Sequence, residues 1–171
     1  MEKEKTASSL PEPYTVAEQK QIGRFCAYFG TDVKAVDEQG MTLLHQAARN
    51  NWYIEIFKFL VSKGADVNAK DKDGNSVLRW AVRNHRYKNG IESVKFLVSV
   101  GADVNVKDEL GLTTLHWAIS EGANLEFVKI LVFAGADVNA KSKEGYTPLD
   151  IAKENNKRSI VKYLSDMELK K

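Results

Sequence analysis

The side chains able to do chemistry in this 171-residue chain are His45, His85 and His116, the single Cys26, and recurring Asp and Asn residues. His45 and His116 sit in matching contexts, TLLHQAA and TTLHWAI, two copies of a repeating pattern apart. One metal ion needs its ligands within a few ångströms of each other, so a structural role is expected for both and no metal. Ser, His and acid residues have no strand-turn-helix context, no glycine-rich phosphate loop occurs, and Asp71 and Asp73 are expected on turns open to water, where nothing raises a carboxyl pKa. No catalytic residue and no cofactor is expected. Asp66, Asp103 and Asp137 with Asn68, Asn105 and Asn139 repeat oxygen atoms as a calcium ladder would, but local side-chain bonds to turn backbone explain them more simply. Lys70, Lys107 and Lys141 read as a solvated edge, and Cys26, between Phe25 and Ala27, as a buried thiol.

Trp80 and Trp117 carry the sharpest signal. They fill one slot in adjacent copies, which Gln46 and Ile151 occupy in the outer ones. Two readings stand: a shared anchor for a partner, or indoles that each pack on a neighbouring helix, slightly favoured by the usual burial of Trp. Arg49, Arg79 and Arg83 lie nearby, with Arg86, Tyr87 and Lys88 in an insertion, and aromatic plus Arg is the composition of binding hot spots. At the turn tips, Glu38, Gln39, Met41, Lys72, Asp73, Asn75, Glu109, Leu110 and Leu112 extend the candidate surface. Exposed apolar tips at Met41, Leu110 and Leu112 would suggest contact with something, unless they pack on the adjacent turn.

The elements that must position these groups follow a period. GADVNAK at residue 64 returns as GADVNVK at 101 and GADVNAK at 135, after a worn GTDVKAV at 30, so the leading glycines are spaced 34, 37 and 34 residues apart. Such a period marks a stack of small units rather than one globular core. In each unit a turn Gly at 40, 74, 111 or 145 precedes a capping hydroxyl at Thr42, Ser76, Thr113 or Thr147, which starts a first helix bearing small residues such as Ala47, Ala81, Ala118 and Ala152. A greasier second helix follows, with Ile91, Val94, Leu97 and Val98 on one stripe, until Gly64, Gly101 or Gly135 stops it.

The net charge of +2 is too small to predict nucleic acid as a partner. MEKEKTASSLPEP lacks the apolar core of a signal peptide and no stretch approaches a membrane span, so a soluble, cytoplasmic chain is expected, monomeric in isolation.

Recurring TxLH-like starts and three GADVN ends make the chain resemble the ankyrin repeat family across about residues 22 to 166. The resemblance implies an all-α solenoid of stacked helix-turn-helix units with protruding β-hairpin loops. On it, residues 1–13 are a flexible lead, 14–36 an N-terminal capping half-repeat, 37–70, 71–107 and 108–141 three repeats, and 142–171 a C-terminal capping repeat and tail. It also implies a concave side built of hairpins and first helices, with the two indoles near it, about 10 Å apart. In the slot of the family's bracing histidine stand Arg79 and Asp150, which puts bracing between the first and second units in doubt, and residues 85–90 should bulge as a loop. The expected function is a non-catalytic module holding a protein or peptide partner. The alternatives are a small-ligand or nucleic-acid site at Trp80, Trp117 and the arginines, or a purely structural scaffold.

Overall fold

The computed structural model describes residues 32–168. The lead at 1–13, most of the expected capping half-repeat and Cys26 lie outside the described residues. Within them, helices come in four pairs: α1 (Leu43–Arg49) with α2 (Ile54–Ser62), α3 (Val77–Val82) with α4 (Lys88–Ser99), α5 (Thr114–Ser120) with α6 (Leu125–Phe133), and α7 (Pro148–Glu154) with α8 (Arg158–Glu168). Each first helix packs on its own second helix and on the next first helix, and α2 packs on α4 as α6 does on α8. Ala47, Ala48, Ala81, Ala118 and Ala152 are buried along that first-helix row, where small side chains let the short helices approach closely. Leu44, Phe57, Leu78, Leu97, Leu115 and Leu131 fill the seam between rows, so the core is continuous along the stack. The result is the all-α solenoid expected from the sequence.

The hairpins are tight turns, with isolated antiparallel bridges Val36 to Thr42 and Lys70 to Ser76. Successive tips are joined by backbone bonds: Lys72 N–H donates to Gln39 O at 2.9 Å, Glu109 to Asp73 O at 3.1 Å and Lys143 to Leu110 O at 3.0 Å. A second ladder corrects the sequence reading of the GADVN asparagines. The Asp residues do bond locally, as Asp66 accepts from Asn68 N–H, but Asn68 donates to Gly101 O at 3.1 Å and accepts from Asp103 N–H at 2.8 Å. Asn105 repeats this with Gly135 and Asp137. These amides are staples between units.

The histidines form a third tie. The Thr42 N–H donates to His45 Nδ1 at 3.1 Å, so the imidazole proton is on Nε2 and is donated to Asn75 O, in the next unit, at 3.2 Å. His116 does the same between Thr113 and Tyr146 O. The first and second units are therefore braced by His45, and the doubt moves one interface along: Arg79 occupies the slot facing the third unit, and its buried Nε has no hydrogen-bond partner. In the last unit Asp150 turns back to its own helix cap, accepting from both the N–H and the hydroxyl of Thr147, bonds that hold its carboxyl below the usual range.

Burial pushes His45 and His116 below their ordinary value of 6.5, and His85 shares the direction. A proton added at Nδ1 would also oppose the Thr N–H that it now accepts from. Below about pH 6.5 the unfolded chain therefore binds protons that the folded chain refuses, and stability falls until the folded values are reached. Urea midpoints measured from pH 8 to pH 5 should fall with pH, and His45→Asn with His116→Asn should flatten that slope.

The insertion is only partly a loop. Residues 83–87 form turns, but Lys88, Asn89 and Gly90 are the first turn of α4, which has 12 residues where α2 and α6 have 9. The extra chain is absorbed by lengthening a second helix, which lets its backbone bonds be satisfied internally.

Candidate functional site

Each of the first three hairpins opens on an Asp that holds its own turn and also reaches the first helix. Asp71 Oδ1 accepts from Asp73 N–H at 3.1 Å and Asn75 N–H at 2.8 Å, while Oδ2 accepts from the Trp80 indole Nε1–H at 2.9 Å. Asp108 holds Leu110 N–H, Leu112 N–H and the Trp117 indole, the last at 2.6 Å. In the first unit Asp37 takes the same part with Gln46 Nε2 at 2.6 Å. Ser142 and Ile151 replace the pair in the last unit, so that tie lapses there. Asp71 is therefore not a tip acid open to water; it is 8% exposed. Reasoning from the sequence singled out the indoles and missed their acids, although donor and acceptor stand nine residues apart in all three units.

With their N–H groups anchored, the indoles are half-buried and present their faces along the stack. Arg79 lies between them, its guanidinium carbon 3.9 Å from the Trp117 ring centroid and 5.0 Å from that of Trp80. Arg49 and Arg83 approach Trp80 at 5.7 and 5.9 Å. The two indoles thus do not form a bare aromatic pair, and the packing and anchor readings merge: the lower edges are tied down, and the faces are covered by cations. Burial pushes Arg79 below its ordinary value, followed by the opposing influences of Glu121 and Arg83, yet a guanidinium stays charged. Cation–π contacts of this kind stabilise by about 0.5 to 2 kcal/mol, depending on desolvation.

The remaining candidate residues divide. Glu38, Gln39, Lys72, Asp73, Glu109 and Leu110 are exposed at the tips, Leu110 by 60%, and Leu112 is half-buried. Met41 is 2% exposed, packed inward with its sulfur 3.8 Å from Gln46 Nε2, so it is not a projecting tip. Asn75 is buried as well, donating its side-chain amide to Asp71. Leu110 and Leu112 instead form, with Tyr146 and Ile151, the apolar part of a groove of about 560 Å³ between the third and fourth units. Beside Trp80, Arg49 and Arg83 line another cavity, of about 400 Å³. Phe133, on the second-helix row, is 88% exposed and lies outside this surface.

Among the described residues no group of three or more His, Cys, Asp or Glu is placed to hold a metal ion, and no helix is long and apolar enough to cross a membrane. A family model described as ankyrin repeats (3 copies) matches residues 15–108 and residues 86–171. No curated protein matches the chain.

Proposed function

The chain belongs to the ankyrin repeat family, whose members generally serve as protein–protein interaction modules, and from that premise we propose that it is a non-catalytic binder of a protein or peptide partner. The partner sits on the concave face and hairpin tips, centred on the two middle units. The observation that carries this reading is the Arg79 guanidinium held between Trp80 and Trp117, both indoles fixed by buried or half-buried carboxylates. Such a surface loses little conformational entropy on binding, and it joins the residue types that dominate binding energy. The contacts fall on Trp80, Trp117, Arg49, Arg79, Arg83 and the exposed tip residues Lys72, Asp73, Glu109 and Leu110. Bases stacking on the indoles would have to displace Arg79, which disfavours nucleic acid. We assign the chain to the cell interior.

At this interface a bracing hydrogen bond is replaced by a cation–π stack that a partner can use. Arg79→His should restore a bond to the Leu112 carbonyl, as His45 and His116 make to their next units, and remove a buried unpaired Nε. The new bond is worth about 1 kcal/mol and the lost cation–π contacts about 0.5 to 2 kcal/mol, so stability should stay within about 1 kcal/mol of wild type. Partner retention by the immobilised chain should fall at least tenfold. Proteins captured from the native cell are quantified by mass spectrometry on wild type, Arg79→His and Arg83→Glu, with folding checked by circular dichroism. Equal capture by all three would remove this face as the binding site.

A further inference from the structure

The cavity beside Trp80 carries a net positive charge among the described residues. Its lining includes Arg49, Arg83, His85, Arg86, Tyr87 and Glu121, so three guanidinium groups face one carboxylate. Among the described residues the ion pairs are Lys58 with Glu55, Lys88 with Glu92 and Lys129 with Glu126, each within a second helix, and none involves these arginines. A further cation approaches from the fourth unit. A Cβ at Gly122 would stand 3.5 Å from Arg86 Nη2 and 3.7 Å from Lys157 Nζ, so both head groups flank that turn. His85, 7% exposed, also lines the cavity; its Nδ1 lies 3.2 Å from Val82 O and its buried Nε2 has no partner. Like charges gathered without ion-pair partners are a usual mark of a site that an anionic ligand completes; the His85 Nε2, a bare acceptor while Nδ1–H donates to Val82 O, adds no donor to it.

We propose that this cavity receives a phosphomonoester carried on a partner's side chain: a phosphoserine, phosphothreonine or phosphotyrosine. The inference rests on the partner-binding reading above and adds the partner's chemistry. Charge selects the class. The arginines exceed the carboxylate by two positive charges, three against one. A phosphomonoester brings about −1.5 to −2 near pH 7 and three strong acceptor oxygens, whereas an Asp or Glu side chain brings one charge and two oxygens. A nucleic-acid phosphodiester also brings one charge each, and a net charge of +2 supplies no extended basic track to follow it. Arg49 on α1 and Arg83 on the connector after α3 lie against the Trp80 ring, which anchors two planar donors suited to bidentate contacts, and Arg86 follows on the same connector toward Gly122.

The test is a titration of the ¹⁵N-labelled full chain with N-acetyl-O-phosphoserine amide, N-acetyl-aspartate amide and sulfate at constant ionic strength. Saturable shifts at the Arg86, Tyr87 and Gly122 amides are expected, with phosphoserine at least fivefold tighter than aspartate. Arg86→Gln, at an exposed position, should weaken phosphoserine at least tenfold, while Arg158→Gln on α8 leaves it unchanged. Absence of saturation, equal affinity for aspartate or sulfate, or full affinity in Arg86→Gln would overturn the proposal. So would binding to vesicles carrying phosphoinositide without binding to phosphoserine, which would assign the anion to a membrane. Partner capture that depends on Arg83 without any phosphoserine binding overturns this inference alone and leaves the partner-binding reading in place.

Discussion

Gly90→Ala should destabilise the protein by about 3 kcal/mol or more, against the usual gain of about 1 kcal/mol when Ala replaces Gly in a helix. The sign is reversed by packing. A Cβ at position 90 would collide with the carbonyl oxygen of Asn84 and stand 2.6 Å from its carbonyl carbon and 2.8 Å from its Cβ. The first two of these are backbone atoms, so no rotamer change relieves the contact. Asn84 cannot retreat cheaply, because its carbonyl accepts from Tyr87 N–H at 2.9 Å and its side-chain amide donates to Ala48 O, at the end of α1, at 2.7 Å. Moving the start of α4 aside would therefore also loosen the first unit from the second and displace Arg86 and Tyr87. Urea unfolding of the variant checks this, and an unchanged midpoint would show that the turn yields more easily than its bonds imply.

Asp71→Ala should cost about 3 kcal/mol, the upper end of the range for hydrogen bonds to a charged group, because its donors are left buried. The carboxylate receives the backbone N–H groups of Asp73 and Asn75, both its oxygens are reached by the Asn75 amide, and Oδ2 holds the Trp80 indole. Asn75 also presents the carbonyl to which His45 donates, so the turn and the brace between units fail together. Asp71→Asn separates the parts. Its remaining oxygen can keep the turn, but its NH₂ then faces the indole N–H, donor against donor, and Trp80 is released. About half the cost of the Ala variant is expected, with a changed Trp80 fluorescence. Asp108→Ala should cost less than Asp71→Ala, because Leu112 stands where Asn75 does and offers no side-chain amide.

The stack was legible because its causes are local and repeated. A Gly that ends a helix, a hydroxyl that caps one and an apolar stripe leave the same trace in every unit, and three or four traces reinforce each other. Connections between units were less visible. Asn68 looked like a turn residue because a turn explains it, and nothing in one unit's sequence says that its amide reaches Gly101. Lys88, Asn89 and Gly90 looked like loop because they are extra, whereas lengthening α4 satisfies their backbone better. The pairing of Asp37 with Gln46, Asp71 with Trp80 and Asp108 with Trp117 was present as a fixed nine-residue spacing, broken together at Ser142 and Ile151. Only the slot of Gln46, Trp80, Trp117 and Ile151 stands out in the sequence, since a turn acid such as Asp71 already has a local purpose. Met41 was misplaced for a related reason: position at a tip does not fix direction, and its side chain turns inward beneath Gln46.

The three indoles allow the most direct test of the partner-binding surface. In a proton–nitrogen correlation spectrum of the ¹⁵N-labelled chain each Trp Nε1–H gives one signal, assigned by substitution. On adding the partner captured by the immobilised protein, the Trp80 and Trp117 signals should shift or broaden, while that of Trp52, in the connector between α1 and α2, stays in place. Movement of Trp52 alone, or no movement of Trp80 and Trp117 at saturating partner, would contradict binding on the face that Arg79 and the two indoles form.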